Sequence, residues 1–326
     1  MRVLVIGAQG VLGSFIARRF REAGWAVTRG GRRPETAEDF RLVDLDRSDS
    51  VTEARREVDL IVSTVRHPAL PVERAVLAGG GILLNLDDLP AAERTRLKAD
   101  VTQPRGVVVD RTGLGGVTGL AIAELLEQHP EADTVEFGFM LSAREITGHA
   151  GGVFAHRLLS GAGHLETVTV ELPEPFGRRR CLSSTRGAAE LVGPLALGRR
   201  GRLYLCFLPA AFNGLLLALN ALRLASRLPL AVLTTGRGAV PTELSRQPTC
   251  HWASVTRAGE RLAGRIIMGN GDYRSSVEAT LVFAEALVAT PGSPLRRNGV
   301  FGVDELLRLR QILPALERHG IRVGVL

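Results

Sequence analysis

Arg2-Val-Leu-Val-Ile-Gly7-Ala-Gln-Gly10-Val-Leu-Gly13 opens the chain, and the fold turns on how this stretch is read. Residues 2 to 6 form a short apolar run of the kind that becomes a strand buried on both faces. Beyond the glycines, Val11, Phe15, Ile16 and Phe20 recur at helical spacing until Gly24 closes the helix. Glycines spaced GxxGxxG between a strand and a helix suit a dinucleotide. The first allows a tight turn, the second admits backbone to a pyrophosphate, and the third brings helix and strand close. The free N–H groups and dipole at the helix start attract the phosphates. On this reading Gly7, Ala8, Gln9, Gly10, Val11, Leu12 and Gly13 form the cradle. A tight turn with structural duty alone is the competing reading.

The second strand, Trp25 to Thr28, should end where an Asp or Glu would hold the ribose hydroxyls of NAD. The chain reads Arg29-Gly-Gly-Arg32-Arg33 there and offers no carboxylate. Guanidinium groups pair with a 2′-phosphate through charge-assisted bonds, so Arg29, Arg32 and Arg33 favour NADPH over NADH. The alternative is a solvated basic loop.

Further strands are expected over Arg41–Leu45, Asp59–Thr64, Ile82–Leu86 and Gly106–Asp110, with helices over Pro71–Ala78 and Pro90–Ala99. Regular alternation implies an α/β fold with a doubly wound parallel sheet of the Rossmann type. Ligands on such sheets lie beyond the carboxyl ends of the strands. That rule adds Asp44, Leu45, Thr64, Val65, Arg66 and Asn85 to the candidate cofactor set. Beyond Gly116 the rhythm changes to a helix, scattered strands and a hairpin turning at Ala258-Gly259, which reads as a mixed α+β lobe. The expected division is a nucleotide domain over 1–116 and a substrate and dimerisation lobe over 117–295. Residues 296–326, a helix and a strand, should pack back toward the first domain.

The chain has 326 residues and a formal net charge of +7. Its excess arginine is scattered rather than gathered on a face with interleaved aromatics, so no nucleic-acid partner is expected. Three cysteines lie far apart with no CxxC, which fits a reducing cytoplasm and argues against disulfides or a metal site. The chain opens directly into a strand, so no signal peptide is expected. Leu203 to Leu233 is very apolar but is broken by Pro209, Asn213, Asn220, Arg223, Arg227 and Pro229. It reads as a buried or interface helix rather than a membrane span, and membrane contact is not expected.

Several stretches together resemble the saccharopine dehydrogenase-like oxidoreductases. They are Val3 to Gly13, Val58 to Thr64, Gly113-Leu-Gly-Gly-Val-Thr-Gly-Leu120, Leu172 to Gly177, and the closing Gly299 to Glu305 and Leu313 to Arg322. The resemblance implies a Rossmann domain, a mixed-sheet substrate lobe and NAD(P) binding. It also implies chemistry of the opine type, making or breaking secondary amines, or reduction of double bonds in lipid precursors. Gly115-Gly116 stands where that family often has Pro-Gly. The chain is short for a lysine-pathway enzyme, which argues against saccharopine itself.

Hydride transfer needs a group that meets the charge developing on the acceptor. His67 follows the fourth strand, and His149 sits in the glycine-rich Thr147-Gly-His-Ala-Gly-Gly152. Tyr273 and Tyr204 are further possible donors, though neither belongs to a Tyr-x-x-x-Lys pair. An idle loop histidine, tight glycine packing and core tyrosines are the bland alternatives. The expected function is an NADPH-dependent oxidoreductase, working as a homodimer and reducing a C=N or conjugated C=C bond of a small-molecule substrate. Its rivals are a trans-acting enoyl reductase on a carrier-bound acyl chain and a non-catalytic NADP-sensing regulator.

Overall fold

The computed structural model describes residues 1–142, 156, 165–185, 187–188, 198–224, 243–289 and 297–326. It divides into two compact units, Met1–Val117 with Ser276–His319, and Thr118–Ser275 with Gly320–Leu326.

The first unit is built on a seven-stranded sheet in the order β13-β6-β5-β4-β1-β2-β3. Its strands are β1 (Arg2–Ile6), β2 (Ala26–Gly31), β3 (Phe40–Leu42), β4 (Leu60–Ser63), β5 (Gly81–Asn85), β6 (Gly106–Asp110) and β13 (Gly299–Gly302). Every pairing is parallel. The apolar run at the N-terminus becomes the central strand because both of its faces are covered, and Val3, Leu4 and Val5 are fully buried. Helices α1 (Val11–Glu22), α2 (Ser48–Ala54), α3 (Pro71–Gly79) and α4 (Ala91–Asp100) connect successive strands. Phe15, Ile16 and Phe20 form the buried stripe of α1, and Phe20 meets Trp25 edge-on at 5.3 Å. Leu4, Ile61, Leu83, Val108 and Val300 carry one core across the strands. The strand order reverses between β1 and β4, so the carboxyl ends of these two strands flank the crevice where such sheets bind ligands.

The second unit holds a mixed sheet in the order β14-β12-β11-β7-β10-β9-β8. It comprises β7 (Thr134–Ser142), β8 (Glu166–Leu172), β9 (Gly177–Ser184), β10 (Arg200–Leu208), β11 (Pro248–Arg257), β12 (Glu260–Asn270) and β14 (Arg322–Val325). Only the β7–β10 pairing is parallel. Ile122 and Leu125 from α5 (Leu114–Gln128) and Leu216 and Leu217 from α6 (Ala210–Ala221) share a core with Phe137, Leu203 and Leu205 of one sheet face. On the other face Trp252 lies flat over Gly138, its register partner, where a Cβ would fall 2.1 Å from the indole. Cys181, Cys206 and Cys250 are buried on that same face with Met140.

Three strands depart from the sequence reading. The apolar run from Leu203 belongs to β10, placed between β7 and β9, and only Ala210–Ala221 of that segment is helical among the described residues. A strand with buried neighbours on both faces carries the same continuous apolar signature as a buried helix, which explains the difference. No strand was expected around Arg178-Arg179-Arg180, which lies in β9 with alternate residues turned outward. Gly299–Gly302 supplies a seventh strand to the first sheet, through pairing with Val107 to Asp110. Helix α7 (Asp272–Ala284) begins in the second unit, and its later turns belong to the first, where Thr280 donates to Thr112 O. The short α8 (Val303–Leu306) and α9 (Leu309–Arg318) follow β13. Among the described residues no helix is long and apolar enough to cross a membrane.

Candidate functional site

The turn leaving β1 is built as the glycine spacing requires. Gly7 has φ +86°, and a Cβ there would lie 2.4 Å from Thr64 Oγ1. A Cβ on Gly13 would fall 2.2 Å from Gly7 O and 2.6 Å from its carbonyl carbon, so helix and strand meet backbone to backbone. Gly10, the N-cap of α1, has only Gly7 O near its missing side chain, at 3.3 Å. The amides of Gly7 and Ala8 are bound to Gly30 O, and that of Gly10 to Gly7 O. The first intrahelical bond runs from Ser14 N–H to Gly10 O, leaving the Val11, Leu12 and Gly13 amides at the open end of the helix. No acidic side chain occupies that first turn to compete for them. The local structure therefore offers an anion cradle with a positive dipole end.

At the end of β2 the structure corrects one expectation. The strand is followed by carboxylates after all, because Glu35 and Asp39 fold back onto Arg29. Arg29 lies 2.7 Å from Glu35 Oε2 and 3.3 Å from Asp39 Oδ1. The bond to Asp39, and then that to Glu35, raise the Arg29 pKa above its ordinary value against its partial burial. Arg29 is thus neutralised within the fold, whereas Arg32 and Arg33 are exposed and have no ion-pair partner among the described residues. Two guanidiniums, rather than three, are available to an incoming phosphate.

The other candidates lie at the ends of β3, β4 and β5. Thr64 donates its hydroxyl to Ile6 O at 3.1 Å and, with Val65, walls the turn beside Gly7. Asp44 caps its own loop, accepting the Asp46 N–H at 3.1 Å. Arg66 is engaged internally, 2.7 Å from Glu93 and 3.6 Å from Asp87, and donates to Asp88 O. Asn85 is buried and engaged, its side chain donating to Glu73 Oε1 and accepting the Asp87 N–H, while its backbone carbonyl accepts from Thr112. Burial pushes the Glu73 carboxyl up to about 7. These contacts make Arg66 and Asn85 part of the frame of the crevice.

His67 is turned toward the loop after β3. Its Nδ1 accepts the Ala69 N–H at 3.2 Å, so Nε2 carries the proton of the neutral ring and donates to Asp46 Oδ1 at 3.1 Å. An open cavity of about 820 Å³ lies there, lined by Leu45, Asp46, His67, Arg74 and Arg96 among others. It touches Leu45 and His67 of the candidate set but none of the glycine-turn residues.

Sequence reasoning missed the ionic cluster at the ends of β6 and β13. Asp110 is completely buried, accepts the Leu89 N–H at 3.1 Å and pairs with Arg94 at 2.8 Å. Arg94 reaches Glu305 at 3.0 Å, and Arg111, at φ +61°, pairs with Asp304 at 2.7 Å. Burial drives the Asp110 carboxyl upward against the pull of Arg111 and Arg94. Nothing in the spacing of residues 111 and 304 announces their pairing, because only the return of β13 creates it.

In the second unit, Tyr273 sits half-buried on the first turn of α7 beside Asp272. Asp272 Oδ2 accepts the Ser142 N–H at 2.9 Å. Thr249 Oγ1 lies 2.5 Å from Met140 O and 2.6 Å from Asp272 Oδ1. One hydroxyl proton cannot serve both oxygens. When Thr249 donates to Met140 O, Asp272 must itself carry a proton and donate to Thr249. Burial pushes this carboxyl up to about 6, against the downward pull of the Thr249 and Ser142 bonds. Tyr204 donates to Glu136 at 2.8 Å within the sheet, and burial raises its pKa to about 12, which makes it a weaker acid than an ordinary tyrosine. His149 lies outside the described residues. No cluster of His, Cys, Asp or Glu suited to a metal occurs among the described residues.

Comparison with known proteins agrees with this architecture. The NAD dependent epimerase/dehydratase family matches residues 3–77, from β1 to α3. No curated protein matches the sequence. Among solved structures, the amine dehydrogenase from Mycobacterium smegmatis is similar at 14% identity and a TM-score of 0.50, over 95% of this chain and 97% of that one. A mutant meso-dapdh from Clostridium tetani E88, solved with DAP, is similar at 9% identity and a TM-score of 0.50, over 97% and 95% of the two chains. At these identities the likeness is one of fold, a dinucleotide-type parallel sheet joined to a second mixed sheet.

Proposed function

We propose that this chain is an NADPH-dependent oxidoreductase that reduces a C=N or conjugated C=C bond of a small metabolite. The observation that carries the reading is the side-chain-free cradle at the start of α1. There Gly13 meets Gly7 O at a distance no Cβ could share, and the first-turn amides face the ligand edge of the sheet. A diphosphate fits this cradle because it needs close backbone approach and N–H donors, and both are present. Arg32 and Arg33 would hold the 2′-phosphate, with Thr64 and Val65 walling the turn. When bound, the coenzyme supplies the hydride.

The chain's own residues divide the remaining work. We assign His67 to the adenosine side, since its ring is held toward the loop after β3. Tyr273, on the first turn of α7, and His149, named from the sequence alone, are then the candidates for meeting charge on the substrate. The choice of C=N and C=C chemistry follows the resemblance to saccharopine dehydrogenase-like oxidoreductases, and an amine dehydrogenase shares the fold. Three free, buried cysteines suit the cytoplasm, and we take a homodimer as the working assembly.

Calorimetric titration of NADPH and NADH tests the reading. NADPH should bind more tightly, and Arg32→Ala and Arg33→Ala should each weaken it about tenfold while moving NADH about twofold at most. Equal affinities for the two coenzymes, or no binding of either, would overturn it.

A further inference from the structure

Gln9 is the one polar side chain of the glycine turn, and it does not point at the cradle. Its carboxamide crosses to the exit of β2, where Nε2 donates to Arg33 O at 2.7 Å and Oε1 accepts the Arg33 N–H at 3.2 Å. This is a two-point grip on one residue's backbone, the pattern of a rung in a strand ladder made by a side chain. The second Nε2 hydrogen reaches Glu35 Oε1 at 2.9 Å, and the other Glu35 oxygen holds Arg29 at 2.7 Å. The bond from Gln9 draws the Glu35 carboxyl below the usual range. Room for the amide exists because residue 31 is glycine. A Cβ there would fall 2.5 Å from Gln9 Oε1 and 2.7 Å from its Cδ.

The grip matters because little else holds the loop. Residues 32 to 36 are all exposed, and among the described residues they make no backbone–backbone hydrogen bond. Arg33 is tied on both sides of its peptide by Gln9, while its guanidinium and that of Arg32 are left without ion-pair partners among the described residues. The backbone is fixed and the charges are spare, which is the arrangement that lowers the ordering cost of binding a compact dianion.

We propose that Gln9 is a positioning residue for coenzyme selection: through Gly31 and Arg33 it couples the diphosphate turn to the 2′-phosphate loop and presents Arg32 and Arg33 to that phosphate. The inference rests on the NADPH reading and deepens it. Gln9 touches no phosphate itself. Asparagine would be too short to span the two contacts. Glutamate could accept the Arg33 N–H but could not donate to Arg33 O, and its charge would oppose both Glu35 and the phosphate.

The test titrates NADP⁺ and NAD⁺ into the full-length wild type, Gln9→Ala and Gln9→Glu, and follows trypsin cleavage after Arg32 without coenzyme. In Gln9→Ala the NADP⁺ to NAD⁺ affinity ratio should fall about tenfold, with NAD⁺ affinity held within about twofold. Gln9→Glu should lower the ratio further, and cleavage after Arg32 should quicken in both variants at unchanged melting temperature. An unchanged ratio in Gln9→Ala, with the wild type still preferring NADP⁺, overturns the inference and leaves the NADPH reading standing. Equal weakening of both coenzymes also overturns it, since Gln9 would then serve the diphosphate alone. A wild type that binds neither coenzyme overturns the NADPH reading and the inference together.

Discussion

Replacing Asp272 by Asn should stabilise this protein at neutral pH, and by an amount that grows as the pH rises. The native carboxyl is buried, and its contacts to Ser142 N–H and Thr249 Oγ1 fit a protonated acid. Asparagine reproduces that pattern, accepting from Ser142 through its oxygen and donating to Thr249 through its NH₂. Native ionisation near pH 6, against an ordinary 3.8, means that the folded state holds the proton more tightly than the unfolded chain. Below about pH 3.8 both states are protonated and the carboxyl costs nothing. Between 3.8 and 6 the unfolded chain gives up its proton first, so stability falls as pH rises. Above 6 the deficit reaches about 3 kcal/mol, at 1.36 kcal/mol per pH unit. An amide at this position does not titrate and has no such dependence. Urea unfolding of both chains, measured in parallel from pH 4.5 to 7.5, should show the advantage of the asparagine variant growing by about 2 kcal/mol. Taking the difference between the two chains cancels every other titrating group. A difference that is flat with pH, or one in which the wild type gains as pH rises, would mean that Asp272 is held as a stabilised carboxylate and would refute the proton count.

Two further expectations follow. Asp304→Asn removes the charge 2.7 Å from the buried Arg111 guanidinium, a closer partner than Asp88 at 4.0 Å. Unfolding should be easier by about 2–4 kcal/mol in urea titrations, and a change below about 0.5 kcal/mol would show that the pair is dispensable. Cys181, Cys206 and Cys250 should resist a disulfide-exchange reagent in the native protein and react together only in denaturant. All three are buried, and the Cys206 and Cys250 thiols are shifted upward, Cys206 first by its contact with Cys181 and Cys250 by burial. Stoichiometric labelling of the native protein within minutes would count against that burial.

The parts of the structure legible in the sequence are those whose cause is local. Gly7, Gly10 and Gly13 announce their turn because Gly7 takes a positive φ and Gly10 and Gly13 close on Gly7 O within six residues, and the predicted sixth strand coincides with Gly106–Asp110. The hairpin at Ala258-Gly259 was visible for the same reason, since both residues take positive φ. What escaped depends on residues distant in the chain. Arg29 looked like a free phosphate ligand because Asp39, ten positions on, returns only through the pairing of β3 with β2. The apolar run from Leu203 looked helical because apolarity reports burial without reporting period, and only its neighbours β7 and β9 make Arg200–Leu208 a strand. The proton shared along Met140, Thr249 and Asp272 joins three separate elements, and no spacing rule could connect them.

The strand formed by Gly299–Gly302 has a bearing on how the polypeptide is made. The first sheet acquires six of its strands early in translation, yet β6 has no strand on its outer side, and Arg111 lacks its close pairing with Asp304, until residues 299–305 leave the ribosome. A fragment ending at residue 117 would therefore keep the Asp110–Arg94 pair but lack Asp304 opposite the buried Arg111 and Glu305 opposite Arg94. The nascent chain must wait for nearly its whole length before its opening domain can close.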